Sequence, residues 1–398
     1  MKILLVSSFL PYPLFSGGHI RLYNILKLLS KNHEIYLVCE KRNYQTWQDL
    51  ENIKKFCKKV IAVDRKSQWS LINIVKTGFS RMPFLLIGHT NDEMKKNISL
   101  LLQNNKFDLI HVETFYVMQN LPKTQIPIVL AEHNVEYLVY KRFADKAFLP
   151  LRLLLYLDVL KLKYWEEKYW KKATKLVAVS KVDRKIMSKK RKDVEVVPNG
   201  VDIDKFKVQS SKFKVNKKEK TILFIGDFKW IENVDSVRWI LKDIWSKISG
   251  KWKMENGKLK LWIVGRNIPD SIKKLTKDKN VIFDENAGWD TSKIYQKADV
   301  LLAPIRVGGG TSFKILEAMA SGVPVVTTPL GNAISAKENE KILIANNINE
   351  LSEKIINLLN NQELYKNIAI KARKFIEEKY NLEKIVGKLE EVYTSAYA

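Results

Sequence analysis

The chain has 398 residues, too many for one ordinary α/β core, and its 46% hydrophobic and 28% charged residues describe a folded globular body rather than a disordered chain. Two cysteines, Cys39 and Cys57, with no CxxC spacing and no histidine cluster beside them, support neither a disulfide framework nor structural zinc. The net charge of +26 is uneven: residues 1–200 carry 35 Lys+Arg against 18 Asp+Glu, residues 201–398 carry 34 against 25, and Lys161–Lys192 alone holds 13 basic residues. Such a field attracts anionic lipid, nucleic acid or phosphorylated substrates, or belongs to a solvated lysine-rich face.

In chain order, Ile3–Ser7 reads as a first buried strand; one lysine before it and no small-residue cleavage site after it argue against a signal peptide and for a cytoplasmic chain. Gly17 and Gly18 form a glycine turn into a helix over Ile20–Leu29. Glu34–Cys39, Leu109–Val112, Ile128–Ala131 and Leu176–Val179 continue the strand series. Ala147–Lys172 has the spacing of a long amphipathic helix, and Arg152, Asp158 and Lys161 interrupt it too often for a membrane span. The basic, aromatic Leu151–Lys192 stretch, with Tyr156, Tyr164, Trp165, Tyr169 and Trp170, reads either as an interfacial helix lying on anionic headgroups or as a core helix whose lysines extend to water.

Val196-Val197-Pro198-Asn199-Gly200 breaks this rhythm where a hinge fits. Thr221–Ile225, Leu261–Val264, Val281–Phe283, Val300–Ala303 and Val323–Thr327 form a second strand series, with helical patterns between them and after Asn349. Strands alternating with helices predict parallel sheets covered on both faces, hence an α/β fold of two Rossmann-like domains over residues 1–200 and 201–380.

The most informative run spans Asp299 to Thr327: strand, glycine loop, helix, glycine stop, strand. Gly308, Gly309 and Gly310 let backbone N–H groups approach an anion, and Thr311 and Ser312 lead into a helix whose N-terminus adds partial positive charge. Lys314 supplies a full charge just inside that helix, and Arg306 one from the loop. Glu317, one turn after Lys314, is placed to accept two ribose hydroxyls; the plain alternative is a surface Glu–Lys pair. No GK[ST] follows the glycines, so this is not a Walker A loop. The loops at Gly265-Arg266 and Asp284–Gly288 are candidates for reading the base and the sugar.

These motifs resemble the retaining glycosyltransferases of family 4, often called group 1, over nearly the whole chain. The resemblance is carried by Pro11-Tyr-Pro with Ser16-Gly17-Gly18, Glu132-His133-Asn134, Val179-Ser180 with Pro198-Asn199-Gly200-Val201-Asp202, Phe224-Ile-Gly226, and Gly308–Gly322. The last is similar to the pattern GGGT-x-x-K-x-x-EAMA-x-G-x-PVV. It implies two Rossmann-like domains facing across a cleft (GT-B), with acceptor recognition in the first, nucleotide-sugar binding in the second, and a C-terminal helix, about 380–398, crossing back to the first.

By this resemblance Glu317 binds the nucleotide ribose, Lys314 meets phosphate, Gly17 and Gly18 lie near the donor diphosphate, and His133 faces the transferred sugar. The upstream glutamate of the family's E-x7-E pair falls on Gly309, and the basic pair after the first C-terminal strand appears as Asp227 and Glu232, leaving diphosphate to Lys229, Arg306 and Lys314. The implied activity is transfer of a sugar from a nucleotide-sugar to a saccharide or lipid-linked acceptor, with retention of configuration and neither metal nor cofactor, in cell-surface polysaccharide or glycolipid synthesis. The implied setting is the cytoplasm, peripheral to the inner face of an anionic membrane. A sugar-nucleotide epimerase of the same fold and a catalytically silent scaffold are the competing readings. A nucleic-acid partner is disfavoured, since no helix-turn-helix, zinc finger or aromatic ribonucleoprotein motif accompanies the charge.

Overall fold

A computed structural model of the chain describes residues 1–145, 147–208, 219–252, 257–288, 290–308 and 310–398. It divides into two compact units, Met1–Pro198 with Ile385–Ala398, and Asn199–Lys384. The break falls inside the turn-forming cluster around Pro198.

The first unit is built on a seven-stranded parallel sheet of order β3-β2-β1-β4-β5-β6-β7. Its strands are β1 (Lys2–Ser7), β2 (Glu34–Lys41), β3 (Lys59–Asp64), β4 (Leu109–Glu113), β5 (Ile128–Glu132), β6 (Lys175–Ala178) and β7 (Val194–Val196). Helices α1 (Gly17–Leu29), α2 (Trp47–Lys54), α3 (Leu71–Phe79), α4 (Phe84–Gly88), α5 (Asp92–Asn104), α6 (Glu136–Asp145), α7 (Leu149–Lys172) and α8 (Lys181–Met187) connect them. The central strands are mostly apolar because both faces are covered, so Leu4, Val6, Ile110, Val112 and Leu130 lie in one core with Trp170 of α7.

Only the part of α7 from Val159 onward is anchored in the protein interior. Val159, Leu162, Tyr169 and Trp170 are buried, and the Trp170 indole donates to Glu132 at 3.2 Å. Glu166, also buried, accepts the first N–H groups of α6 from Glu136 and Tyr137, at 2.8 and 2.9 Å, and so serves as that helix's cap. Burial, with Glu166 repelling Glu132 and Glu136 repelling Glu166, pushes both the Glu132 and Glu166 carboxyls well above the usual range. The aromatic stretch is therefore divided: Tyr169 and Trp170 belong to the core, while Tyr164 is exposed.

The second unit repeats the scheme with a six-stranded parallel sheet of order β10-β9-β8-β11-β12-β13. Its strands are β8 (Glu219–Ile225), β9 (Lys258–Val264), β10 (Val281–Asp284), β11 (Val300–Ala303), β12 (Val325–Thr327) and β13 (Leu343–Ile344). Helix α9 (Ile231–Trp239) runs through a π-turn, Ile240–Ile244, into α10 (Trp245–Trp252). There follow α11 (Asp270–Lys273), α12 (Thr291–Lys297), α13 (Phe313–Ala320), α14 (Ile348–Asn360), α15 (Gln362–Lys379) and α16 (Leu382–Tyr397), the last of which ends in the first unit. One core packs α9, α10 and α14 on one side of the sheet and another packs α13 and α15 on the other. Among the described residues no helix is long and apolar enough to cross a membrane.

Strand order decides where a site forms. In each sheet the first strand is flanked by strands reached in opposite directions, β2 and β4 around β1, β9 and β11 around β8, and crevices open at the carboxyl ends beside such a reversal.

Candidate functional site

Both reversals carry the residues singled out by sequence. In the first unit, Gly17 and Gly18 begin α1 after β1, and Ser16 caps that helix while its hydroxyl meets His19 Nδ1 at 2.8 Å. Burial, with Arg42 and His133 nearby, lowers the His19 imidazole to about 4. His133 follows β5, and Gly18 lies beneath its ring: a Cβ on Gly18 would stand 3.3 Å from His133 Cε1 and 3.4 Å from Nδ1. The close approach of helix and imidazole thus depends on a glycine.

His133 does not stand alone. Its Nε2 meets Glu113 Oε1, at the end of β4, at 2.6 Å. The other oxygen, Oε2, meets His111 Nε2 at 2.6 Å, and the Tyr393 hydroxyl donates to His111 Nδ1 at 2.7 Å. Arg21 lies 3.3 Å from Glu113 Oε1 and donates to the Pro198 carbonyl at 3.0 Å. Burial opposes ionisation of Glu113, yet His133 and His111 hold its carboxyl well below the usual range. An ionised Glu113 only accepts, so both Nε2 atoms carry hydrogen, and in the neutral imidazole His133 Nδ1 is then the acceptor. Glu113, His111, Arg21 and Tyr393 are absent from the sequence reading. Glu113 and His111 had a signal, a polar pair inside an otherwise apolar buried strand, but Arg21 and Tyr393 meet them from far along the chain.

In the second unit, the loop after β11 lies beside α9, the helix after β8. Gly308 (φ 117°) and Gly310 (φ 71°) adopt left-handed backbone that other residues rarely take, and Gly309 lies outside the described residues. Thr311 is buried, and its carbonyl accepts from Asn199 at 2.9 Å. Ser312 stands at the N-cap of α13 without a side-chain bond to the helix. Gly322 (φ 66°) stops the helix, with Val323 N–H returning to the Ala318 carbonyl at 2.9 Å.

The charged side chains diverge. Lys314 points to α9, donating to Asn233 Oδ1 at 2.6 Å and lying 4.3 Å from the Phe224 ring. Glu317 is buried on the side of α12, with the hydroxyls of Tyr295 and Thr291 beside it. One helical turn therefore separates their surroundings, and the simple Glu–Lys surface pair is not what forms. Burial lowers Lys314 to about 8, against the pull of Glu232, and raises Glu317 to about 7, against Lys205. Arg306 pairs with Asp235 at 2.9 Å and stacks 4.3 Å from the Trp239 ring, so it is held against α9. Lys229 is exposed on the loop after β8, its N–H bonded to Asp227 at 2.9 Å. Asp227 faces Arg266 at 3.6 Å, and Glu232 lies 3.8 Å from where a Gly308 Cβ would stand.

At the ends of β9 and β10, Val264–Arg266 and Asp284–Gly288 line one open cavity of about 290 Å³. Gly265 is required there, since a Cβ would stand 1.8 Å from the Gly226 carbonyl oxygen. Among the described residues no cluster of three His, Cys, Asp or Glu side chains is placed to hold a metal ion.

The comparisons agree with this architecture. The model of glycosyltransferase family 4 matches residues 15–205 and that of glycosyl transferases group 1 matches residues 219–361. An uncharacterized 44.6 kDa protein in the cps region of Klebsiella pneumoniae is 25% identical over 98% of each chain. Sucrose-phosphate synthase from Thermosynechococcus elongatus superposes with a TM-score of 0.70 at 14% identity, covering 100% of this chain and 99% of the other. Anabaena HepE, solved in complex with UDP-glucose, gives 0.65 at 14% identity, over 99% and 100%. Matched in both halves by models of one family and built on two doubly wound parallel sheets, the chain belongs to the group 1, family 4 glycosyltransferases of GT-B fold.

Proposed function

We propose that the second unit binds the nucleoside diphosphate of a sugar donor at the head of α13 and that the first presents His133 to the sugar being transferred. The observation that carries this reading is the pair of ionisable groups behind the glycine loop, Lys314 partly buried and Glu317 buried, at the carboxyl edge of a parallel sheet beside its reversal. Lys314 and the first N–H groups of α13 meet the diphosphate, Glu317 accepts ribose hydroxyls, and the cavity between Gly265 and Gly288 takes base or sugar. Lys229 and Arg306 act after the donor arrives, Arg306 by leaving Asp235.

In the reaction the acceptor oxygen bonds to the anomeric carbon, the bond from that carbon to the diphosphate oxygen breaks, and the acceptor proton passes to the departing diphosphate. Negative charge grows on the leaving group, where Lys314 and fixed N–H dipoles stabilise it, so the proposal includes turnover without added metal. Retention of configuration is part of the same proposal. His133 Nδ1, an acceptor because Nε2–H is held by Glu113, orients a sugar hydroxyl. The acceptor we propose is a saccharide or lipid-linked saccharide at the cytoplasmic face of the membrane, in cell-surface polysaccharide synthesis.

Calorimetric titration with UDP, GDP, ADP, CMP and dTDP tests the donor site, with UDP first because HepE was solved with UDP-glucose. One nucleotide binding selectively, and weakly to Glu317→Ala, is the expected result; equal binding by the variant refutes the assignment. Conversion of donor without acceptor would favour an epimerase.

A further inference from the structure

Among the described residues, the first unit carries an apolar surface that its own fold leaves exposed. None of the residues of α3 is buried, although Leu71, Ile72, Ile74, Val75 and Phe79 make up most of it, and Phe79 is 94% and Leu71 81% exposed. Trp69, just before the helix, is 78% exposed. On α7, Leu149, Leu153, Leu157, Leu160 and Tyr164 recur every three or four residues on the face opposite Val159, Leu162 and Trp170, and all five are exposed. The two helices are neighbours: Lys161 of α7 donates to the Thr77 carbonyl of α3 at 2.6 Å, and the Trp165 indole to the Arg81 carbonyl at 2.9 Å.

Folded proteins seldom leave so many leucines and aromatics side by side in water; such patches mark binding surfaces. The charges around this one indicate the occupant. Residues 65–81 contain Arg65, Lys66, Lys76 and Arg81 and no acid. The two acids beside the N-terminal half of α7 are engaged: Asp158 accepts the Phe84 N–H at 2.9 Å, and Asp145 accepts from Tyr156 and Lys141. An apolar stripe bordered by lysine and arginine complements a layer with acyl chains beneath anionic headgroups. A second copy would bring the same positive border against itself, which like-charge repulsion opposes.

We infer that the joint face of α3 and the N-terminal half of α7 lies in the headgroup layer of an anionic membrane, with the leucines inserted and the basic rim on the lipid phosphates. This deepens the proposed membrane-bound acceptor without depending on it, and places the contact on α3 and residues 149–164 rather than on the basic run Lys168–Lys192, whose aromatic members Tyr169 and Trp170 are buried.

The test is co-sedimentation of the full chain with phosphatidylcholine vesicles, with and without phosphatidylglycerol, for the natural protein and the double variants Ile72→Glu/Phe79→Glu and Leu153→Glu/Leu157→Glu. All four positions are solvent-facing, so folding is retained, and unchanged nucleotide affinity in solution confirms it while reporting separately on the donor site. The expected result is binding to anionic vesicles that weakens with salt and falls at least about tenfold in each variant. Natural protein left in the supernatant, or variants sedimenting undiminished, overturns the inference. Loss of a dimer in the variants without any vesicle binding assigns the face to a second copy instead.

Discussion

The histidine cluster of the first unit and the glycine-loop helix of the second treat buried charge in opposite ways. Around Glu113 the charge is compensated from within: Arg21, His111 and His133 surround one carboxylate, and the imidazole tautomers are set before any ligand arrives. Around α13 the compensation is incomplete. Lys314 rests on a neutral Asn233 and an aromatic ring, Glu317 on hydroxyls, and burial pushes both toward their neutral forms. A compensated cluster is a rigid tool; a partly compensated pair gains when a ligand supplies the missing charge and hydrogen bonds.

Breaking the compensated side has the largest consequence. Glu113→Ala strands Arg21 in the core and is expected to cost about 3–5 kcal/mol of folding stability in urea titrations. The subtler Glu113→Gln keeps the shape but loosens the tautomer of His133; turnover should fall about 10 to 100-fold at unchanged nucleotide affinity. His133→Ala should do likewise, and an unaltered rate in that variant removes the imidazole from the reaction.

On the partly compensated side the expected losses are smaller and appear in binding. Lys314→Ala and Glu317→Ala should each weaken nucleotide by about 1–3 kcal/mol in calorimetry, with folding little changed. The pH profile sharpens the contrast. Glu317 becomes a carboxylate only above about 7, and Lys314 loses its proton above about 8, so affinity should rise through the first value and fall through the second, with its best range between. The raised Glu317 also means that the free protein loses stability as pH climbs from the ordinary carboxylate value toward 7, because the folded state then holds a proton that the unfolded chain has released. Smallest of all, Tyr393→Phe deletes one buried hydrogen bond and should cost about 1 kcal/mol in thermal or urea unfolding.

What was legible follows the same division. The run from Asp299 to Thr327 is contiguous, so its strand, loop, helix and stop could be read directly, and β11 occupies the predicted Val300–Ala303. Lys314 and Glu317 stand out in the sequence because helical spacing relates them, but their divergence does not, since it depends on Asn233 of α9 meeting one and Tyr295 of α12 the other, one turn apart along α13. The Glu113 cluster joins residues 21, 111, 113, 133 and 393, and no local pattern predicts that meeting. Strands β3, β7 and β13 escaped for a different reason: β3 is a half-buried edge flanked by charge, and the other two have three and two residues. The apolar residues of α3 would suit a core helix, and only the fold shows that none of its residues is buried.

Tyr393 gives the cluster a schedule in synthesis. The strand that carries His111 and Glu113 leaves the ribosome early, but the phenol that holds His111 follows it by 282 residues. A nascent chain, or one trimmed at its C-terminal end by a protease, therefore carries His133 and Glu113 without the final member of their network. Only translation through α16 completes the histidine cluster.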